Sequence, residues 1–369
     1  MTKLAALLTG GNPVRVILAT YALGALGAGA ALLIGLPLPM LLGPLLVVAA
    51  ATMARVHLFG HLPAVPQKLR FVLVPVIGVA IGASVPPDIL SQVGRWWITV
   101  AALVVFVPLA HWVNYVLFRR LGGVDAPTAF FAGMPGGFIE ALEMGEKHGA
   151  RMDMLMALQF LRLALCIVMI PLAFALVTGQ AVGSGAVPRP GEGIALTLSD
   201  AAWLIAAGAV GWFVASRLRM PAAVLSGPLL ASALVHAAGL TAATSPEWAI
   251  AVTQWVMGTS LGARFAGFTR KALWLAMRLA ALSVALALAL ASGFAIALTG
   301  LVGEPVTAVI LAFAPGGISE MSLVALSLQL SMVYVTLHHL IRILLAVIVA
   351  RAGLRFLPPM PAPVQGDRA

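Results

Sequence analysis

Cysteine is nearly missing from this chain: Cys166 stands alone in 369 residues, which excludes an intrachain disulfide and a cysteine-built metal centre. Charge is scarce as well. Only 9% of residues are charged while 62% are hydrophobic, so a water-soluble domain would have no solvated exterior. The polar–apolar alternation of an outer-membrane barrel is absent, which excludes that route into a bilayer. No Gly-Lys-Ser/Thr follows the glycine-rich stretches, so there is no phosphate loop. The histidines (His57, His61, His111, His148, His236, His338 and His339) make no copper or iron set, and no nucleophile–base motif stands out. The chain therefore reads as a non-enzyme that carries no cofactor and no metal.

What the sequence does contain is a succession of apolar runs, each long enough to cross a bilayer. They predict an all-α polytopic membrane protein. Candidate spans are 16–34, 40–58, 69–85, 97–118 and 154–176, then 201–216, 222–240, 248–263, 272–298 and 332–350. Two further segments, 126–147 and 305–330, contain Pro-Gly-Gly. The stretch 178–199, with Arg189 and Glu192, is rich in glycine and proline and reads as a linker. It separates a first membrane repeat (1–177) from a second (200–356), and 357–369 forms a polar tail. The N-terminus faintly resembles a signal peptide, but its first span has a counterpart in the second half, so it is expected to be retained.

The halves are copies. Pro135-Gly136-Gly137-Phe138-Ile139-Glu140 and Pro315-Gly316-Gly317-Ile318-Ser319-Glu320 lie 180 residues apart. At the same offset, Gly78 through Ala83 matches Gly258 through Ala263, and Arg162 matches Arg342. Earlier, Pro37 and Gly43-Pro44-Leu45-Leu46 match Pro221 and Gly227-Pro228-Leu229-Leu230 at an offset of 184. Matched landmarks in one order mark a duplication.

Loop charge predicts how the copies insert. Basic residues sit at Arg55, Lys68, Arg70, Arg119 and Arg120 in the first half, where the corresponding second-half loops carry Glu247 and Glu304. Conversely, the second half is basic at Arg217, Arg219, Arg264, Arg270 and Lys271, against a chargeless turn at 35–36 and a stretch balanced by Asp88 and Arg95. The basic side changes phase, so the positive-inside rule predicts two inverted repeats of about five spans each, with both termini cytoplasmic. The excess of 22 basic over 12 acidic residues then reflects retained basic loops. No loop is long enough for a nucleic-acid-binding domain. The expected partners are the lipid bilayer and a small solute or ion, and a homodimer is compatible with this reading.

The duplicated Pro-Gly-Gly-x-x-Glu motif, the Gly-Pro in the second span of each copy and the chain length together resemble the AbrB family of bacterial membrane proteins. The similarity covers nearly the whole chain. That family also carries the labels ammonia monooxygenase and regulator of gene expression, and its layout resembles inverted-repeat carriers. The small soluble DNA-binding regulator that shares the AbrB name is not similar.

Candidate site residues follow from the breaks. Proline removes a donor and paired glycines relax the backbone, so each segment is predicted to stop and restart as a broken or re-entrant helix. Restarted helices expose amides at Pro135-Gly136-Gly137 and Pro315-Gly316-Gly317 that favour an anion or a carboxylate. Glu140 and Glu320 follow within about one turn and could accept those amides, hold a cation or exchange a proton. Glu143 lies one turn beyond Glu140, where the second copy has Leu323. Arg162 and Arg342 sit deep in the last span of each copy and need partners, for which Glu140 and Glu320 are the natural candidates. Structural ion pairing and anionic substrate binding are both open for them. Gln159 and His339, beside His338, extend the same face. Thr259, Ser260, Gln254, Asn114 and His111 are candidate linings of a polar path, and the paired glycines are packing features first. The expected function is an inner-membrane secondary carrier, with proton or cation coupling open to it. The alternative is a membrane sensor that alters gene expression; oxygenase chemistry is not expected.

Overall fold

A computed structural model describes residues 9–86, 89–178, 196–220, 222–267, 270–328 and 330–357. Most of the expected linker and tail, along with Pro221 and Asp88, lies outside the described residues. Among those described, fourteen α-helices and two short 3-10 turns carry the fold, and no β-strand is present. The first half holds α1 Val14–Leu33, α2 Pro39–Met53, α3 Leu69–Ala83, α4 Ile89–Arg120, α5 Ala126–Gly133, α6 Phe138–Lys147 and α7 Met152–Thr178. The second half holds α8 Leu198–Arg217, α9 Ala223–Ala237, α10 Glu247–Ala263, α11 Arg270–Ala297, α12 Val306–Phe313, α13 Ile318–Ser327 and α14 Met332–Gly353. The described helices thus close on the linker at 178 and 198, slightly inside the expected boundaries.

Six helices, α1, α4, α7, α8, α11 and α14, are long and apolar enough to cross a membrane. Four of the ten expected spans are shorter helices. Helices α2, α3 and α9 have 15 residues and α10 has 17. At about 1.5 Å per residue these reach roughly 22–26 Å, short of a ~30 Å hydrocarbon core. Their starts and stops are set locally. Leu38 and Ala222, with φ of 48° and 49°, turn the chain into α2 and α9, and Arg55, with φ of 57°, follows the end of α2.

The short helices pack where glycine lets backbones touch. At Gly27 a Cβ would lie 2.5 Å from the Gly43 carbonyl oxygen, and at Gly211 2.5 Å from that of Gly227, so α1 crosses α2 as α8 crosses α9. Across the halves, Gly78 and Gly82 of α3 bear on α9, while Gly258 and Gly262 of α10 bear on α2. Small residues at this spacing permit close helix approach, which is how the matched glycines are used. Ser232 Oγ donates to Val79 O at 2.8 Å and Trp255 Nε1 to Tyr21 O at 3.2 Å, adding hydrogen bonds between the halves.

The long helices form a second group. Helix α11 packs on α7, α14 packs on α4, and α4 touches α11. Phe106 and Phe313 meet with ring centroids 5.0 Å apart, and Phe106 and Phe294 at 5.5 Å, filling the space beside the broken segments. This bundle surrounds α5–α6 and α12–α13.

Candidate functional site

The chain stops and restarts at both Pro-Gly-Gly segments, but in two different ways. Helix α5 ends at Gly133, Met134 turns extended (ψ 123°), and Gly137 enters α6 in the left-handed region at φ 70°. Glycine is required there for its backbone conformation. Helix α12 ends at Phe313, Ala314 turns extended (ψ 139°), and Gly317 leads into α13 with φ −78° and ψ 147°. Any residue could adopt that conformation. The Glu320 carboxylate folds back against the position a Cβ would take at 317, so a side chain there would have to displace it.

Ending a helix leaves carbonyls without partners, and inside a membrane these need protein donors. In the first half five successive carbonyls are served by side chains. His111 Nε2 bonds Phe130 O at 2.8 Å, and Gln159 Nε2 donates to Phe131 O at 2.7 Å. Arg162 donates to Ala132 O at 3.2 Å and Met134 O at 2.5 Å, and to Gln159 Oε1 at 2.7 Å. Asn114 Nδ2 reaches Gly133 O at 3.5 Å and its Oδ1 accepts from Ser283 at 2.7 Å. The second half relies on its arginine. Arg342 donates to Phe313 O at 3.4 Å, to Ala314 O, and to Gly316 O at 2.9 Å. The positions corresponding to His111 and Asn114 are Ala291 and Phe294.

The expected Arg162–Glu140 and Arg342–Glu320 pairs are therefore not formed. Each arginine instead ends a half-helix, where the negative end of the helix dipole favours a cation. The freed carbonyls supply that charge complement directly. Among the described residues the ion pair present is Arg151–Asp153 at 3.7 Å, both exposed, in the charged run beyond α6.

The two acids differ in environment. Glu140 and Glu143 lie on the exposed side of α6. Glu320 is only 5% exposed, with Ser319 Oγ 3.4 Å from Oε2 and the Arg264 charge acting on it. Arg264 Nε and Ser260 Oγ in turn share Gln67 Oε1, at 3.0 and 3.1 Å. Gln67 is a member that the repeat pattern did not reveal, because it has no landmark to match. Of the other polar candidates, His111 and Asn114 serve the first break, as above. Thr99 and Thr336 were also missed: Thr99 Oγ1 bonds His338 Nε2, and Thr336 bonds Ser322, each at 2.8 Å.

His339 is fully buried, and its Nδ1 bonds Val335 O at 3.0 Å. Its Nε2 has no hydrogen-bond partner, nor does Arg342 Nε. The equivalent Gln159 is fully engaged by the first break. Among the described residues no three His, Cys, Asp or Glu side chains gather as a metal site.

The breaks lie on each other's closing helix. A Cβ at Gly136 would sit 3.4 Å from Ile343 and 3.7 Å from Arg342 Nε, both on α14. One at Gly317 would sit 3.2 Å from Leu163 on α7. Buried Cys166 feels the charges of both Arg162 and Arg342. Gly136 thus sits beside Arg342, Gly317 beside Leu163, and Arg162 and Arg342 each hold their own half's break. Glu143 stays outside this group.

Such a bundle, with matched helix breaks held by buried arginines, is that of a helical membrane protein. Comparison with known proteins sharpens the class. The family described as "Transition state regulatory protein AbrB" matches residues 54–358, and the chain belongs to it. A relative from Escherichia coli (strain K12) named "Putative regulator AbrB" is 24% identical over 338 residues, covering 88% of this chain and 92% of its own. "Uncharacterized protein YhjN" of Bacillus subtilis (strain 168) is 26% identical over 290 residues, 74% of each chain.

Proposed function

We propose that this protein is a secondary carrier of the bacterial inner membrane that moves a small solute or ion through the paired helix breaks. Its halves insert as inverted repeats, with both termini cytoplasmic, and one bundle rocks against the other around a central site. The observation that carries the reading is the reciprocal seating of the breaks: each is ended by its own half's arginine and rests on the other half's closing helix. Restarted amides at Phe138–Glu140 and Ile318–Glu320 have no side-chain cap, which suits a bound anion or carboxylate. Buried Glu320 is the group best suited to coupling. The carrier reading needs neither an enzyme's residues nor nucleic acid, and a homodimer remains compatible with it.

Reconstitution into proteoliposomes with candidate solutes and an imposed proton gradient tests the proposal. Flux that ignores Glu320→Gln combined with Arg342→Ala would remove the break from the mechanism. The printed name of the Escherichia coli relative favours a second reading, a membrane regulator. A transcriptional change on deletion without any difference in solute uptake would support it instead.

A further inference from the structure

A groove between α4 and the end of α14 lies beside the first helix break. It encloses about 410 Å³ and is lined by His111, Trp112 and Tyr115 of α4, Phe130 of α5, and Arg355 and Phe356 beyond α14. Helices α4 and α14 are both candidate spans, so in the membrane-inserted chain its rim faces lipid. Trp112 and Phe356 are 62% and 74% exposed, presenting aromatic surface to that medium. The inner wall is kept open by a glycine: a Cβ at Gly353 would lie 2.7 Å from the Phe130 ring.

No acidic side chain lines this groove, and one cation does. The Arg355 guanidinium lies 4.8 Å from the Phe356 ring centroid and, among the described residues, makes no ion pair. Arg351 precedes it by four residues, and Arg119 and Arg120 close α4 about one turn beyond Tyr115. The side chain of Arg119 is partly engaged, donating to Val124 O at 2.8 Å. An apolar cleft of this size with positive charge at its mouth complements an amphiphile with a long hydrocarbon and an anionic head. Aromatic rings belong at that depth of a bilayer, and a basic site between helix ends attracts anionic lipid. The apolar walls offer a bare ion nothing.

We propose that this groove binds an anionic phospholipid, its acyl chain against Trp112, Phe130 and Phe356 and its phosphate on Arg355. The assignment rests on membrane insertion alone and not on the carrier reading. It also gives the lipid a structural role. Phe130 and His111 wall the groove and are joined to each other by the 2.8 Å bond at the first helix break, so an occupied groove braces that break.

The test uses the full chain in nanodiscs that contain equal phosphatidylglycerol and phosphatidylcholine, with co-purifying lipid counted by mass spectrometry and melting followed by fluorescence. Wild type should retain phosphatidylglycerol with about a five-fold preference, the ratio expected of one interfacial cation. Arg355→Gln, a surface change that leaves the fold alone, should abolish the preference. Ala352→Trp fills the groove and should release both lipids. Equal retention of the two lipids by wild type overturns the proposal, as does an Arg355→Gln variant that keeps the preference. A melting rise with inorganic phosphate equal to that with phosphatidylglycerol would show a free anion site and overturn the lipid assignment. A chain ended at Leu357 that binds several-fold more phosphatidylglycerol would make its own tail the occupant, also overturning it.

Discussion

Arg162 and Arg342, 180 residues apart, do the same task in the two halves: each reaches from a closing helix to the carbonyls that a Pro-Gly-Gly break sets free. They differ in help. Arg162 shares its work with His111, Asn114 and Gln159, whereas Arg342 faces its carbonyls without equivalents of the first two.

Arg342→Ala is therefore expected to cost more than Arg162→Ala. Each leaves buried acceptors unpaired, at about 1–3 kcal/mol per group, so the loss at 342 should be on the order of 3 kcal/mol or more. Lysine should rescue neither fully, since a single ammonium cannot fork between carbonyls as a guanidinium does. Melting temperatures of the purified variants in detergent rank them, and a larger loss at 162 would contradict the division of labour described above.

Gly258→Leu should be far more damaging than Gly29→Leu. A side chain at 258 must displace the α2 backbone at Leu41, while nothing lies within 4 Å of the Cβ position at 29. Overpacking of this kind costs about 1–3 kcal/mol and more when backbone is struck. Comparable expression and melting for the two variants would mean that α10 does not seat on α2.

Reactivity should separate the two acids. In a Cys166→Ser background, Glu140→Cys is expected to react with a water-soluble maleimide at least roughly ten-fold faster than Glu320→Cys, following exposed and buried placement. The same background addresses insertion. Cysteines at 119 and 270 should label from the same face of the membrane, and labelling from opposite faces would defeat the inverted arrangement.

Acid pH should reveal Glu304, which lies in the loop between α11 and α12. Burial raises its carboxyl above the ordinary range, opposed in part by a hydrogen bond from Trp96. The folded state thus holds this proton more tightly than the unfolded state does. Its contribution to stability is complete below the unfolded carboxylate value of ~4.3 and is lost as pH rises through the raised folded value. Glu304→Gln keeps the Trp96 acceptor and should flatten the fall in melting temperature above pH ~4. An unchanged slope would assign that fall to another group.

Composition alone determined a helical membrane protein, and the 180-residue offset marked one Pro-Gly-Gly break in each half. Apolar content leaves no soluble alternative, and a copy distance is visible wherever proline and glycine mark it. The glycines at 78, 82, 258 and 262 were legible for the same reason, since close helix approach needs their spacing. What the tertiary structure decided is which partner each charge takes. A break frees backbone carbonyls that no residue type announces, so the arginines were expected to meet Glu140 and Glu320 and instead end half-helices. Helices α2, α3 and α9 likewise stop before their apolar runs end, because an apolar run records what surrounds a segment and not where its backbone turns. The exposure of Glu140 and the burial of Glu320 have the same origin: identical motifs were placed against different neighbours, and burial belongs to the neighbours.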